Sequence, residues 1–218
     1  MKESINSLKV FGLFVFYVLM QNIPALIIKA FSINNSISKS IILLFFEALV
    51  TVIFILIYFK DFKEGLNKFK NNEKKFLPEI LKLWGYGLII MIVSNTIINV
   101  ITGGIANNEA INREIASKYY IYAFPSMIIF APICEETIFR LSLRKAVNNK
   151  YLFPIISGML FGFIHVLGTT GLELLYIIPY ASLGFVFAYM YQKQDTIISS
   201  ITAHIIHNLI CAILIVLA

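Results

Sequence analysis

Apolar residues in this chain do not alternate with polar ones; they run in long blocks separated by short polar stretches. The blocks cover about residues 10–31, 41–59, 80–101, 120–143, 153–167, 172–191 and 197–217. A helix needs only ~20 mostly apolar residues to cross a bilayer. The pattern therefore predicts an all-α, polytopic bundle of about seven transmembrane helices, with room for an eighth. The first block carries Asn22, Pro24 and Lys29, and the second carries Glu47. Pro78 stands just before the third, where a proline suits a first helical turn. The fifth block is short. At the N-terminus, the apolar run exceeds the ~7–15 residues of a signal peptide core and lacks a small-residue cleavage site, so it reads as a retained first span.

Two stretches read as non-spanning. Residues 60–76 hold Lys60, Lys63, Lys68, Lys70, Lys74 and Lys75 against Asp61, Glu64 and Glu73. Phe62, Leu66 and Phe69 recur there at helical spacing, so part of this basic loop (60–77) is expected at the membrane interface. Residues 103–118 read as a flexible, Asn-containing connector. Placing the N-terminus inside puts Lys2, Lys9, the six loop lysines, Arg140, Arg144, Lys145, Lys150 and Lys193 on the inner side. Lys39, Arg113 and Lys118 fall outside, with Lys29 near that end of the first helix. Basic residues favour the cytoplasmic face, which predicts N-terminus in and C-terminus out. The chain divides into N-terminal helices, 1–119, and a C-terminal helical core, 120–218.

Composition agrees with the pattern. The 218 residues are 59% hydrophobic and 14% charged, against about 45–50% and about 25% in soluble domains. The net charge of +6 sits in the loops, where it sets topology rather than marking a nucleic-acid binder. Cys134 and Cys211 lie in apolar runs, with no disulfide framework and no CxxC pair. An abundance of Ile, Lys and Asn points to an AT-rich bacterial genome, hence a multi-pass protein of a bacterial cell membrane. No internal repeat of the inverted-transporter kind is visible.

Ionisable groups inside spans are costly and face the bundle interior. Here Glu135, Glu136, Arg140, His165, His204 and His207 all lie towards the C-terminal end of the chain, and they include all three histidines. Glu136 and Arg140 are four apart and can pair on one helix face, either as a structural ion pair or in support of a site. Glu135 points about 100° away with no basic neighbour at helical spacing, which suits a general base. Phe161 and His165 share a face, as do His204 and Asn208. A lone membrane histidine equally serves as a hydrogen-bonded packing residue, and either His204 or His207 could join the cluster. A carboxylate, two histidines and an amide on three helices could activate water and stabilise an oxyanion.

Glu135-Glu136-x-x-x-Arg140, Phe161-x-x-x-His165 and His204-x-x-x-Asn208 resemble the three ordered motifs of the CPBP intramembrane protease family, that of the Rce-type CAAX endopeptidases and their bacterial relatives. Pro132-Ile133-Cys134, Phe161-Gly162-Phe163 and the run from Gly184 to Asn208 carry the resemblance further, over about residues 124–210. It implies an endopeptidase in which Glu135 and His165 activate the attacking water while His204 and Asn208 hold the oxyanion. Glu136, Arg140 and Phe161 would support them, and His207 is not a motif position. The family is described both as metalloprotease and as metal-free glutamate-type peptidase. No HExxH is present, and the metal-free form is favoured. A zinc ion, if used, would draw on Glu135, His165 and His204. Cys134 beside the site reads as a packing residue rather than a thiol nucleophile.

The expected partners are membrane lipid and a hydrophobic peptide or membrane-protein substrate. A second reading is bacteriocin self-immunity or partner binding without proteolysis. A third is a transporter or channel, with Glu47, Glu135 and the histidines as an ion path.

Overall fold

The computed structural model describes residues 2–217, with side chains from Ile5 onward. Eight helices follow in order: α1 (Lys2–Ala30), α2 (Ser36–Ile57), α3 (Phe59–Thr102), α4 (Asn107–Lys118), α5 (Tyr120–Ala146), α6 (Leu152–His165), α7 (Ile177–Gln194) and α8 (Ile197–Leu217). A 3₁₀ turn over Gly171–Tyr176 leads into α7. No strand occurs among the described residues. The molecule is an all-α helical bundle, and each of the seven apolar blocks has become a helix. Six helices are long and apolar enough to cross a membrane. The one from the fifth block, α6, has 14 residues and falls short by length.

Two expectations are corrected. The lysine-rich stretch is not a loop. It is the first half of α3, which continues for 44 residues through Pro78. Lysine and glutamate are good helix formers, and Phe69, Phe76 and Ile80 pack at helical spacing against Leu183, Phe187 and Met190. That packing holds the helix together across a proline that supplies no N–H. The second correction concerns residues 103–118, where α4 replaces the expected flexible connector. Glu109–Arg113 (2.7 Å) and Glu114–Lys118 (2.6 Å) are i,i+4 pairs along it.

Local chemistry sets the helix ends. Asn35 caps α2, its side chain accepting from the Ser38 N–H at 3.0 Å. Gly103 ends α3 with φ of 74°, a left-handed conformation that glycine adopts without strain. Within α5 the backbone widens twice into π-helical turns, at Ser126–Phe130 and Thr137–Ser142. Pro125 and Pro132, which lack an N–H, flank the first of these.

At 1.5 Å per residue α3 is ~66 Å long, about twice the ~30 Å hydrocarbon layer. Its first half therefore runs across one end of the bundle. Asp61 pairs with Lys145 (2.7 Å) and Lys68 with Asp195 (2.7 Å). Thr196 Oγ1 donates to the Gly65 carbonyl (3.0 Å), and Glu79 pairs with Lys193 (2.5 Å). The start of α1 joins this end, Asn6 donating to the Lys145 carbonyl (2.6 Å). At the opposite end Ser36 donates to the Lys118 carbonyl (2.7 Å), and Tyr176 to the Gly104 carbonyl (2.8 Å). Between the ends, α6 lies against α7 at very short range. A Cβ on Gly158 would meet the Ala181 carbonyl at 2.8 Å, and one on Gly184 would meet the Phe161 Cβ at 2.9 Å.

Candidate functional site

The site is built on α5, where successive residues turn to different sides. Glu136 is fully buried and faces two partners. Its Oε2 stands 3.1 Å from Arg140 Nε, one helical turn on, and its Oε1 is 2.9 Å from His204 Nδ1 on α8. Glu135 lies at about 100° to it around the helix, with 15% of its side chain exposed and Oε2 3.8 Å from His204 Nε2. His204 thus stands between the two carboxylates. Its Nδ1 is committed to Glu136, and its Nε2 faces Glu135 at a distance too long for a direct hydrogen bond.

Arg140 is completely buried. Besides Glu136, its Nη2 donates to the Gly184 carbonyl at 3.3 Å. Nη1 has no hydrogen-bond partner among the described residues. The guanidinium lies over the Phe161 ring (4.5 Å to the centroid) and near that of Phe187 (5.6 Å), and such contacts favour a desolvated cation. Glu136 is therefore spent on Arg140 and His204. Of the adjacent carboxylates only Glu135 remains free to act on a bound molecule.

Phe161 separates two parts of the site. One edge meets the His204 ring (5.7 Å between centroids), and its face meets His165 (4.5 Å). His165 is stacked on its other side by Tyr180 (4.5 Å, 24° between planes). Its Nδ1 is 2.7 Å from the Phe161 carbonyl, so Nδ1 carries the proton and Nε2 keeps a lone pair. Asn208 sits one turn beyond His204 and donates through Nδ2 to the Met127 carbonyl at 2.7 Å, in the first π-turn of α5. Only one of its two amide hydrogens is used there. π-turns are frequent at functional sites, and both of those in α5 bear on this one: the first receives Asn208, the second contains Arg140.

Glu135, Glu136, Arg140, Phe161 and His204 thus meet directly, while His165 joins through Phe161 and Asn208 through Met127. His207 turns to Cys211 Sγ (3.7 Å). Cys134 is buried and shares a 3.3 Å contact with Thr51 Oγ1. No group of three or more His, Cys, Asp or Glu side chains among the described residues stands close enough to hold a metal ion. Glu135, His165 and His204 therefore do not fit a three-ligand zinc site in this arrangement.

Several contributors carried no sequence signal. Phe187 flanks His204 (5.2 Å between ring centroids) as well as Arg140, and Tyr180 clamps His165, yet both read as ordinary apolar-block aromatics. Glu47 did stand out as a lone carboxylate in α2. It is buried and accepts from Ser126 Oγ at 2.7 Å, in the same π-turn that holds Asn208.

Residues 117–210 match the family model for type II CAAX prenyl endopeptidase Rce1-like proteins, so the resemblance carried by the three motifs is borne out over that stretch. An uncharacterized protein of Mycoplasma capricolum is 27% identical over 201 residues, 84% of this chain and 58% of that protein. The UPF0177 protein YxdF of Lactococcus lactis is 28% identical over 73% of this chain and 90% of its own length. A Bacillus subtilis protein named "Putative membrane peptidase YdiL" is 35% identical over 95 residues, 40% of this chain and 36% of that protein. The chain thus spans little more than half of the Mycoplasma protein and about a third of the Bacillus one. No solved structure matches.

Proposed function

We propose that the chain is an intramembrane endopeptidase that hydrolyses a peptide bond in a membrane-associated peptide or protein. The observation that carries this reading is the unequal treatment of the two adjacent carboxylates. Glu136 is locked between Arg140 and His204, whereas Glu135 is left facing the gap before His204 Nε2. A water bound at the exposed edge of Glu135 would be within reach of it as general base. The lone pair on His165 Nε2 provides a second acceptor for the same water. Attack on a carbonyl places negative charge on its oxygen. His204, supported from behind by Glu136, and the unused N–H of Asn208 are the donors proposed to hold it. Collapse of the tetrahedral intermediate then passes the proton from Glu135 to the leaving amine. The Rce1-like match over residues 117–210 supports the same reading. No step is routed through a metal, because the side chains do not converge as a ligand set.

The proposed orientation is N-terminus cytoplasmic in a bacterial cell membrane. It is supported by the gathering of Lys9, Lys68, Lys145 and Lys193 at one end of the bundle and by the bacterial sources of the relatives.

The test is cleavage of a panel of hydrophobic and prenylated peptides by purified protein in detergent, comparing wild type, Glu135→Gln and a chelator-treated sample. Glu135→Gln should lower the rate about 10²–10⁴-fold, the usual share of a general base, and the chelator should leave it unchanged. A folded wild-type protein that cleaves nothing in the panel would point instead to a binding or immunity role.

A further inference from the structure

We infer that the bundle holds a second site, unconnected with the carboxylates, that takes the phosphate headgroup of an anionic phospholipid. A cavity of about 500 Å³ opens at the basic end between α1, the α2–α3 corner and the C-terminal turns of α5. Apolar Gly12, Leu13 and Ile57 line it together with polar Asn6, Lys9, Tyr58, Asp61, Ser142 and Lys145.

The polar part of the lining carries two cations and one anion, and the anion is already used: Asp61 pairs with Lys145 at 2.7 Å. Lys145 is fixed further, its Nζ lying 4.8 Å from the centre of the Tyr58 ring. No ion pair to Lys9 occurs among the described residues, which leaves one lysine charge at the mouth uncompensated. Tyr58 and Ser142 are both buried, and their hydroxyls bond each other at 2.9 Å at the cavity wall. Asn6 uses its amide to tie α1 to Lys145, which braces the cavity rather than filling it.

A net positive cavity between membrane helices, lined by both lysines and apolar residues, matches a molecule that carries a phosphate and acyl chains. Basic pockets of this kind bind anionic headgroups. Charge complementarity selects an anionic lipid over a zwitterionic one, and the apolar part of the lining selects a lipid over free phosphate. This inference does not depend on the peptidase reading.

The experiment is to reconstitute the full chain into nanodiscs of phosphatidylcholine with phosphatidylglycerol. The lipid retained after detergent extraction is then counted by native mass spectrometry. Wild type should keep phosphatidylglycerol in preference to phosphatidylcholine, and Lys9→Gln should lower that preference about fivefold, the share of one membrane-facing lysine. Gly12→Leu should reduce retention of both lipids. A Cβ at Gly12 meets nothing within 4 Å, so this variant keeps its fold while narrowing the cavity. Lys63→Gln, outside the cavity, should change nothing. Equal retention of the two lipids by wild type would overturn the inference, as would a Lys9→Gln preference equal to wild type. Displacement of the retained lipid by millimolar inorganic phosphate would overturn the lipid assignment in favour of a free-phosphate site.

Discussion

Arg140 is the largest fully buried side chain among the described residues, and its ion pair with Glu136 sets the limits on substitution at the site. Removing one member of a buried pair leaves an uncompensated charge, at a cost of ~3–5 kcal/mol. Glu136→Ala should therefore lower the melting temperature in detergent markedly. The double variant Glu136→Leu/Arg140→Met should recover most of that loss, because a well-packed apolar pair is often no less stable than a buried ionic one. It should not recover peptide cleavage, since His204 Nδ1 would have lost its partner. A double variant as unstable as the single one would show that the Gly184 and Phe161 contacts of Arg140, not its charge balance, dominate. The pairing of Glu136 with Arg140 was legible from their four-residue spacing. The hold of Glu136 on His204 was not, because it joins residues 68 apart in sequence. Nor did any local pattern reveal that Asn208 donates to Met127.

At the scale of elements, the close seating of α6 on α7 positions His165. Gly158 and Gly162 are four apart on α6; Gly184 of α7 faces Gly158, while Gly162 sits against Ile177 and Ala181. At all three an added Cβ would come within 3.0 Å of its neighbours, including backbone atoms at Gly158 and Gly162. Gly158→Ala or Gly184→Ala should cost ~1–3 kcal/mol by overpacking and reduce cleavage as α6 moves away. Gly85→Ala, which meets nothing within 4 Å, should be silent in both assays. Thermal melts and initial rates on the three variants check this. The small-residue spacing on α6 is a recognised membrane packing pattern, but neither it nor its partner glycine on α7 was read from the sequence. The continuity of α3 escaped for a different reason. Hydropathy reads the lysines as a gap between spans, whereas the helix is carried through them by Phe69, Phe76 and Ile80 against α7 and α8.

For the whole molecule, the helix ends sort into a basic end and an opposite end, and the two should be separately accessible in cells. In a Cys211→Ser background, with Cys134 buried, the exposed positions Lys70 and Asn112 serve as markers. A membrane-impermeant thiol reagent should label Asn112→Cys in intact cells, and Lys70→Cys only after permeabilisation. Labelling of both from the same side would contradict an odd number of crossings between them. The seven apolar helices and their order were legible because the apolar blocks are long, whereas the polar α4 was not. Orientation rested on lysine placement, and salt bridges such as Asp61–Lys145 and Lys68–Asp195 show that these lysines, distant in sequence, share one end.

The brevity of α6 has a further consequence. Its 14 residues rise only ~21 Å, whereas the lipid tails around it fill ~30 Å. A short hydrophobic element is accommodated by thinning the bilayer on its flank, at a modest cost per ångström of mismatch. The thinnest lipid around this molecule would then lie beside the helix that ends in His165, and water would have its shortest route to buried carboxylates there. Lengthening the acyl chains of the host bilayer should close that route, slowing hydrolysis without altering any side chain of the site.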